Sequence, residues 1–315
     1  MQRMAGSKFF GGEAPGEAKY EVSHVIGKGS YGTVVAARNK HTGEKVAIKH
    51  IDRVFADKAD TVRIIRELRF LRLLKHPNII GVVDVLLPQQ RTTFDDIYIV
   101  FELLDTDLAH MIRSKTKYDE THRQWLIYQL LAGLKHIHGA NVFHRDLKPG
   151  NVLLNADCDL KICDFGLARC NFPDQKHAVF WTDYVATRWY RAPELICSYY
   201  TKYTTAIDIW SVGCIFAELM RRKPLFPGHN VYHQLDLITD LLGKPLDEEI
   251  EKVRSEKARD YLNSLQFKPP RDLTPLFPVR PRPRPFPSSL AGGTERVGCA
   301  LRALIRWRSI CWGGC

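Results

Sequence analysis

The chain has 315 residues, of which 45% are hydrophobic and 26% are charged, with a formal net charge of +11 at pH 7. These are the values of a globular protein, and the length suits one large domain or two smaller ones. No apolar stretch is long enough to span a bilayer, and residues 1–7 lack the apolar region of a secretory signal, so we expect a cytoplasmic protein and leave nuclear entry open.

The first motif in chain order is a glycine-rich loop, which follows an extension that we expect to be flexible, residues 1–19. Residues 27–34 read GKGSYGTV, and a GxGxxG pattern alone is a weak signal. In a dinucleotide-binding fold such a loop opens a helix. Here residues 33–37 are β-branched or small, so we predict that the chain turns back into a second strand. The glycines then allow backbone N–H groups to lie close over the phosphates of a nucleotide.

The next predicted strand ends in a lysine. Residues 46–49 read VAIK, which predicts a short apolar strand that presents Lys49 to the α- and β-phosphates. Residues 61–74 have helical spacing, and Glu67 on this helix is the candidate counter-charge for Lys49. The alternative is an exposed pair of Glu67 with Arg63 within the helix, which contributes only about 0.3–0.5 kcal/mol.

The strongest signal is the run HRDLKPGN at residues 144–151, followed thirteen residues after its Asn by DFG at residues 164–166. A surface turn explains a single HRD tripeptide, but it does not explain the whole run with DFG downstream. Transfer of a γ-phosphoryl group to a hydroxyl requires an oriented acceptor and neutralised charge. Asp146 can accept the hydroxyl proton, and Asn151 and Asp164 carry the oxygen ligands that Mg²⁺ prefers. We therefore predict phosphoryl transfer that uses ATP and Mg²⁺.

A further motif makes a resemblance specific. Thr182-Asp183-Tyr184 precedes VATRWYRAPE at residues 185–194. With the motifs above, residues from about 20 to 278 resemble a eukaryotic Ser/Thr protein kinase of the mitogen-activated protein (MAP) kinase family, and the TDY sequence is similar to the plant-type class. The resemblance implies an α+β bilobal fold, with an antiparallel β N-lobe plus one main helix and a mainly helical C-lobe.

The resemblance also implies boundaries. The N-lobe and hinge would cover residues 20–104, and the C-lobe residues 105–278, including an activation segment at residues 164–194. The match stops there, because residues 279–315 are rich in Arg, Pro and Gly, with seven Arg and one Glu that give +6 of the net charge. We expect the C-lobe to lack the last helices of the family. The tail reads either as a basic contact for a membrane surface or nucleic acid, or as an alternative reading frame without a selected role.

The implied function is that of a Ser/Thr kinase that transfers the γ-phosphoryl group of ATP to Ser/Thr-Pro sites of protein substrates. An upstream dual-specificity MAP kinase kinase would activate it by phosphorylating Thr182 and Tyr184, and phosphatases would reverse the modification. A nucleic-acid partner is not expected for the kinase itself. Because the last helices of the family are not recognised, the alternative is a weakly active or inactive kinase-like binding module.

The resemblance assigns roles to individual residues. The catalytic set comprises Asp146, Lys148, Lys49, Glu67 and Thr187, and Asn151 with Asp164 would hold Mg²⁺. The ATP-binding set comprises Ile26, Gly27, Gly29, Gly32, Val34, Ala47, Lys49, Glu102, Leu104, Asp107 and Leu153. The phosphate on Thr182 would be bound by Arg66, Arg145 and Arg169, and the phosphate on Tyr184 by Arg188 and Arg191. Asp208 would satisfy backbone donors of the catalytic loop.

Overall fold

A computed structural model describes residues 9–10, 16–29, 32–86, 95–170, 187–197, 204–253 and 255–277. The first lobe is an antiparallel sheet of five strands in the order β1-β2-β3-β5-β4. Its strands are β1 (Tyr20–Gly29), β2 (Gly32–Asn39), β3 (Lys45–Ile51), β4 (Val82–Leu86) and β5 (Ile97–Glu102). A short helix, α1 (Gly16–Lys19), leads into β1, and the long helix α2 (Lys58–Leu73) connects β3 to β4.

Helix α2 begins and ends with local hydrogen bonds that its sequence provides. The side chain of Asp57 accepts a hydrogen bond from the N–H of Asp60 at 2.9 Å, which is an N-cap. At the other end the N–H of Leu74 donates to the carbonyl of Phe70 at 2.7 Å. The buried residues include Ile64, Glu67 and Leu71, which are three and four positions apart and therefore share one face. Glu67 thus points into the molecule together with apolar neighbours.

The sheet is apolar on both faces, as the alternation of side chains along β3 makes clear. Ala47 belongs to the main core between the sheet, α2 and the second lobe. Val46 and Ile48 belong to a separate core on the opposite face, which also contains Phe9 and Phe10. These two aromatic residues lie in a helical turn and are buried. Phe9 and Phe10 thus cover apolar surface on the outer face of the sheet, while the expectation of a flexible extension over residues 1–19 as a whole stays a prediction.

The second lobe is mainly helical. Its helices are α3 (Leu108–Arg113), α4 (Glu120–Gly139), α5 (Pro193–Ile196), α6 (Ala206–Arg221), α7 (Val231–Leu242), α8 (Asp247–Ile250) and α9 (Glu256–Ser264). Its short strands are β6 (Thr106–Asp107), β7 (Val142–Phe143), β8 (Val152–Leu154), β9 (Leu160–Ile162) and β10 (Arg169–Cys170). Strands β6, β8 and β9 form one small sheet, and β7 pairs with β10. Helix α6 is buried along most of its length, as its near-continuous apolar sequence indicated.

The two lobes are joined through the segment that follows α2. The N–H of Ile80 donates to the carbonyl of Ile162 on β9, and the N–H of Ile162 donates to the carbonyl of Asn78, both at 2.9 Å. The main core runs through both lobes. The bilobal α+β fold is thus confirmed for the described residues. Among these residues, none of the helices combines the length and the apolar character that a bilayer crossing requires. Residues 278–315, and with them the predicted tail, lie outside the described part of the chain.

Candidate active site

A buried carboxylate on α6 accepts hydrogen bonds from the loop that carries Asp146. Asp208 is fully buried and accepts hydrogen bonds from the backbone N–H groups of His144 at 2.9 Å and Arg145 at 2.8 Å. The Nε2 of His138 on α4 donates to the same carboxylate at 2.8 Å. Arg145 has a φ of 70°, a left-handed conformation that costs a non-glycine residue of the order of 1–3 kcal/mol. The Asp208 bonds offset this cost, and the predicted role of Asp208 is confirmed.

Asp146 lies at the centre of a small polar network. The Nζ of Lys148 lies 2.8 Å from Asp146 Oδ2. The Nδ2 of Asn151 donates both to Asp146 Oδ2, at 3.0 Å, and to the backbone carbonyl of Asp146, at 2.9 Å. Within the described residues, both side-chain contacts of this carboxylate therefore fall on Oδ2. Its Oδ1 is the oxygen that can accept a proton from an incoming hydroxyl.

Cys163, the residue before Asp164, is hydrogen-bonded through both its carbonyl and its N–H to the catalytic loop, residues 144–151. The carbonyl of Cys163 accepts a hydrogen bond from His144 Nε2 at 3.0 Å. Its N–H donates to the carbonyl of Asn151, also at 3.0 Å. Asp164, the next residue, adopts a φ of 65°. These bonds bring Asp164 and Asn151 to the same place, although thirteen positions separate them in the chain. Burial raises the pKa of the Cys163 thiol, which favours its protonated form.

The DFG residues are also tied to helix α2. Phe165 is fully buried, with its ring edge-to-face on His144 at 4.9 Å and 6.4 Å from the ring of Phe70 on α2. The NH1 group of Arg66, on the same helix, donates to the carbonyl of Gly166 at 3.1 Å. Helix α2, the DFG residues and the catalytic loop therefore hold one another in position.

Lys49 and Glu67 form an ion pair of 3.1 Å between β3 and α2. Arg63, the alternative partner of Glu67 in the sequence, lies 3.3 Å from Asp60. Burial raises the pKa of Glu67, against the opposing effect of Lys49. Burial would also lower the pKa of Lys49, but the charges of Glu67 and Asp164 outweigh it and the net shift is upward. Lys49 is therefore a charged ammonium that faces both the α2 carboxylate and the DFG aspartate.

The oxygen donors at this place fit Mg²⁺. The amide nitrogen of Asn151 is used in the bonds to Asp146, so the amide oxygen is the group left to bind a metal. Asp164 supplies a carboxylate on the residue after Cys163, whose N–H bonds to the backbone of Asn151. Within the described ranges, no cluster of three or more His, Cys, Asp or Glu side chains is placed to hold a metal by itself. Mg²⁺ in such sites commonly binds one or two protein oxygens, and phosphate oxygens and water fill its remaining coordination positions.

The residues predicted to surround the nucleotide lie along the inner face of the sheet and its junction with the second lobe. Ala47 belongs to the main core, and Val34 and Leu153 pack against it. Val34 is paired with Lys49 across β2 and β3. Ile26, at the edge of this group of residues, is 46% exposed. Gly27 and Gly29 lie at the end of β1, where Gly29 pairs with Gly32.

Gly32 has a conformation that no other residue could adopt here without rearrangement. Its φ is +135°, and a Cβ at this position would lie 1.9 Å from the backbone oxygen of His50. The glycine lets the start of β2 lie directly on β3. At Gly27, by contrast, a Cβ would meet only Val34, at an ordinary 3.9 Å.

The hinge residues show side-chain contacts that the sequence did not predict. Glu102 ends β5, and its carboxylate accepts the N–H of Gly81 at 2.6 Å and pairs with Lys161 Nζ at 3.0 Å. Leu104 follows and is half-buried. Asp107, the candidate ribose contact, caps α3 by accepting the N–H of His110 at 2.7 Å.

Three of the five predicted phosphate-binding arginines, Arg66, Arg145 and Arg169, lie close enough to act on one another electrostatically. Burial, followed by repulsion from Arg66, Arg145 and Arg63, lowers the pKa of Arg169 to about 9. Since a guanidinium stays protonated in proteins, the shift means that burial and, after it, the charges of three nearby arginines disfavour the charge of Arg169. Arg63 belongs to this cluster and was missed as a member. Its position three residues before Arg66 on the same helix was the available signal.

Thr187, Arg188 and Arg191 were predicted to act outside this cluster, and their roles stay predictions. Thr187 is exposed, and in the described part of the chain no hydrogen bond joins it to Asp146 or Lys148. Arg188 donates from NH1 to the carbonyl of His229 at 3.1 Å, whereas Arg191 is half-buried. Thr182 and Tyr184, the predicted phosphorylation sites, lie outside the described residues.

Comparisons with known proteins agree with this geometry. The chain matches the protein kinase domain over residues 20–272. It is 60% identical over 260 residues to mitogen-activated protein kinase 14 of Oryza sativa subsp. japonica, which covers 82% of this chain and 48% of that protein. It is 59% identical over 264 residues to mitogen-activated protein kinase 9 of Arabidopsis thaliana, covering 84% of this chain and 52% of that protein. The chain thus spans about half the length of these curated relatives.

Proposed function

This chain belongs to the protein kinase family and, within it, to the mitogen-activated protein kinases, and we propose that it transfers the γ-phosphoryl group of ATP to serine and threonine hydroxyls of proteins. The observation that carries the proposal is the connected set of contacts around Asp146. Asn151 bonds directly to Asp146, Cys163 links Asn151 to Asp164, and Asp164 acts electrostatically on Lys49. A proton acceptor, two metal ligands and a phosphate-binding cation are thereby held together, as phosphoryl transfer requires.

The roles of the side chains follow from their contacts. Asp146 Oδ1 would orient the substrate hydroxyl and accept its proton while the oxygen attacks the γ-phosphorus. Lys148, on Oδ2 of the same carboxylate, would balance the charge of the transferred group. Lys49, held by Glu67, would bind the α- and β-phosphates. Mg²⁺, held by Asn151 and Asp164, supplies neutralisation of the phosphate charges when bound.

We also propose the finer properties that the resemblance implies. The substrates would be Ser/Thr-Pro sites, with Arg191 shaping the pocket after the phosphoacceptor. An upstream dual-specificity kinase would phosphorylate Thr182 and Tyr184, as in the plant-type TDY class, and phosphatases would remove the groups. The support is the charge concentrated at Arg66, Arg145 and Arg169, which suits an incoming phosphate. The proposed compartment is the cytoplasm, with access to the nucleus.

A pair of peptide substrates tests the proposed specificity. The chain, phosphorylated by a dual-specificity kinase, is given MgATP and a peptide with one Ser-Pro site, and in parallel the same peptide with Ser-Ala. We expect transfer to Ser-Pro and at least about tenfold slower transfer to Ser-Ala, which corresponds to about 1.4 kcal/mol of transition-state discrimination. Equal rates on both peptides would contradict the proline specificity, and transfer to neither would contradict the enzymatic function.

A further inference from the structure

The outer face of the N-lobe sheet is a second apolar core, and the aromatic pair Phe9 and Phe10 covers it. The strand residues of this core are Tyr20, Val35, Ala37, Val46, Ile48, Leu86, Tyr98 and Val100. Phe9 is 4% exposed and Phe10 is 3% exposed. Aromatic side chains bury more apolar area than others, so these two residues close a surface that the sheet itself would leave to water.

The aromatic pair is held by specific contacts with β5. The rings of Phe9 and Phe10 lie edge-to-face at 5.0 Å. Tyr98 lies 5.7 Å from the ring of Phe9 and 5.3 Å from that of Phe10. The hydroxyl of Tyr98 donates to the carbonyl of Phe9 at 3.4 Å. A Cβ on Gly16 would lie 2.4 Å from the ring of Phe10, so the absence of a side chain at Gly16 makes room for this ring.

Contacts continue from the aromatic pair to the strands that carry the phosphate-binding residues. The ring of His50 stacks on Tyr98 at 4.5 Å, with an interplanar angle of 10°, and meets Phe9 edge-to-face at 5.8 Å. The backbone oxygen of His50 is the atom that a Cβ on Gly32 would overlap. Lys49 precedes His50 in β3 and points to the inner face. One residue, His50, therefore contacts the aromatic pair with its ring and the start of β2 with its backbone.

The geometry points to a positioning role for this aromatic latch, which we define as Phe9 and Phe10. We propose that the latch, acting through Tyr98 and His50, holds β3 and the start of β2 in the arrangement that binds the phosphates of ATP. Release of the latch loosens these strands and weakens nucleotide binding without touching the nucleotide. The part of this inference that concerns ATP rests on the proposed function. The part that concerns the local stability of β2 and β3 does not rest on it.

The latch is tested in the full chain with the double variant Phe9→Ala/Phe10→Ala. Phe267→Ala is the matched control, since Phe267 is 73% exposed and lies far along the chain after α9. Hydrogen exchange is measured without nucleotide, and the Kd of MgATP is measured by calorimetry below the melting temperature. We expect faster exchange in β2 and β3 with unchanged exchange in α6, and a Kd raised about tenfold, near the lower end of typical coupling between two sites.

A milder variant separates positioning from general damage to the fold. Phe9→Leu/Phe10→Leu keeps apolar cover over the outer face, and we expect it to restore most of the wild-type exchange and affinity. If the alanine variant exchanges in β2 and β3 as wild type does, the latch proposal is overturned, whatever the affinity. If exchange changes but wild-type protein does not bind MgATP, the proposed function fails and the latch remains. If exchange rises equally in α6, the effect is global, and the positioning role is likewise overturned.

Discussion

Lys161 and Glu102 form an ion pair of 3.0 Å that joins strand β9 of the C-lobe to the end of strand β5 of the N-lobe. The other oxygen of Glu102 accepts the N–H of Gly81 at 2.6 Å, and Lys161 Nζ also donates to the carbonyl of Pro77 at 3.0 Å. The segment after α2, the hinge and β9 are thereby connected through two side chains. Since ATP is proposed to bind between the lobes, this pair constrains how they close on it.

Replacement of Lys161 by Met removes the ion pair while keeping much of the side-chain volume. Both partners are partly exposed, so we expect a stability loss below about 1 kcal/mol. We expect the KM for ATP to rise about two- to fivefold, which corresponds to a free energy of about 0.4–1 kcal/mol, because the lobes lose a shared restraint. Steady-state kinetics at varied ATP, with the exposed Lys257→Met as control, measures this. An unchanged KM in both variants would show that the pair does not restrain closure.

Substitution of the two glycines at the ends of the glycine-rich loop should have unequal effects. Gly32→Ala places a methyl group against the backbone oxygen of His50 at a positive φ, whereas Gly27→Ala meets only ordinary contact with Val34. We expect Gly32→Ala to lower the free energy of unfolding by about 1–3 kcal/mol and Gly27→Ala to change it by less than about 0.5 kcal/mol. Urea denaturation of both variants provides the comparison. Equal losses would show that the contact at Gly32 does not decide the loop's conformation.

The buried carboxylate under the catalytic loop should be important for stability as well as activity. Asp208→Asn replaces one of the two carboxylate oxygens with an NH2 donor, which then faces either the N–H of Arg145 or the donors of His144 and His138. We expect a loss of about 2–4 kcal/mol in the free energy of unfolding, measured by urea denaturation. The control is Asp260→Asn on the surface of α9, for which a change within about 0.5 kcal/mol is expected. A variant at Asp208 as stable as this control would contradict the role assigned to the carboxylate.

The arginine cluster should respond oppositely to one substitution before and after phosphorylation. Burial and, after it, repulsion from other arginines lower the pKa of Arg169, which means that its charge costs free energy in the folded state. Arg169→Met should therefore leave the unphosphorylated chain equally or more stable. A phosphate on Thr182 should stabilise wild type by about 1.5–3 kcal/mol through charge-assisted hydrogen bonds, and the variant by about half of that or less. Melting curves of both proteins in both states measure the difference. An equal gain on phosphorylation would show that Arg169 does not bind the phosphate.

The parts of the site that the sequence predicted are those whose residues lie close together in the chain. Asp146 and Asn151 are five positions apart, and Asp164 follows in a short motif. A fixed offset on one loop determines the geometry almost directly. The strand that carries Lys49 and the helix that carries Glu67 were predicted from apolar runs and helical spacing, although β3 continues to Ile51. The two side chains meet at 3.1 Å.

The contacts that the sequence did not predict join polar residues far apart in the chain. Lys161 and Glu102 are 59 positions apart, and His138 lies 70 positions before Asp208. Neither pair leaves a periodic signal, because each depends on how complete elements pack. Phe9 falls in the same class, since its burial depends on an apolar outer face created by residues of all five strands of the sheet. Arg188 was assigned by motif alone, and its carbonyl contact depends on the turn before α7.

The central claim is tested most directly by the rate of phosphoryl transfer from MgATP to a Ser-Pro peptide, compared between the dually phosphorylated chain and its Asp146→Asn variant. Asn keeps the size of the side chain but cannot accept the hydroxyl proton. We expect both proteins to bind nucleotide and the variant to be slower by at least about 10²-fold, the lower end of general-base contributions. Equal rates in the two proteins would contradict the account.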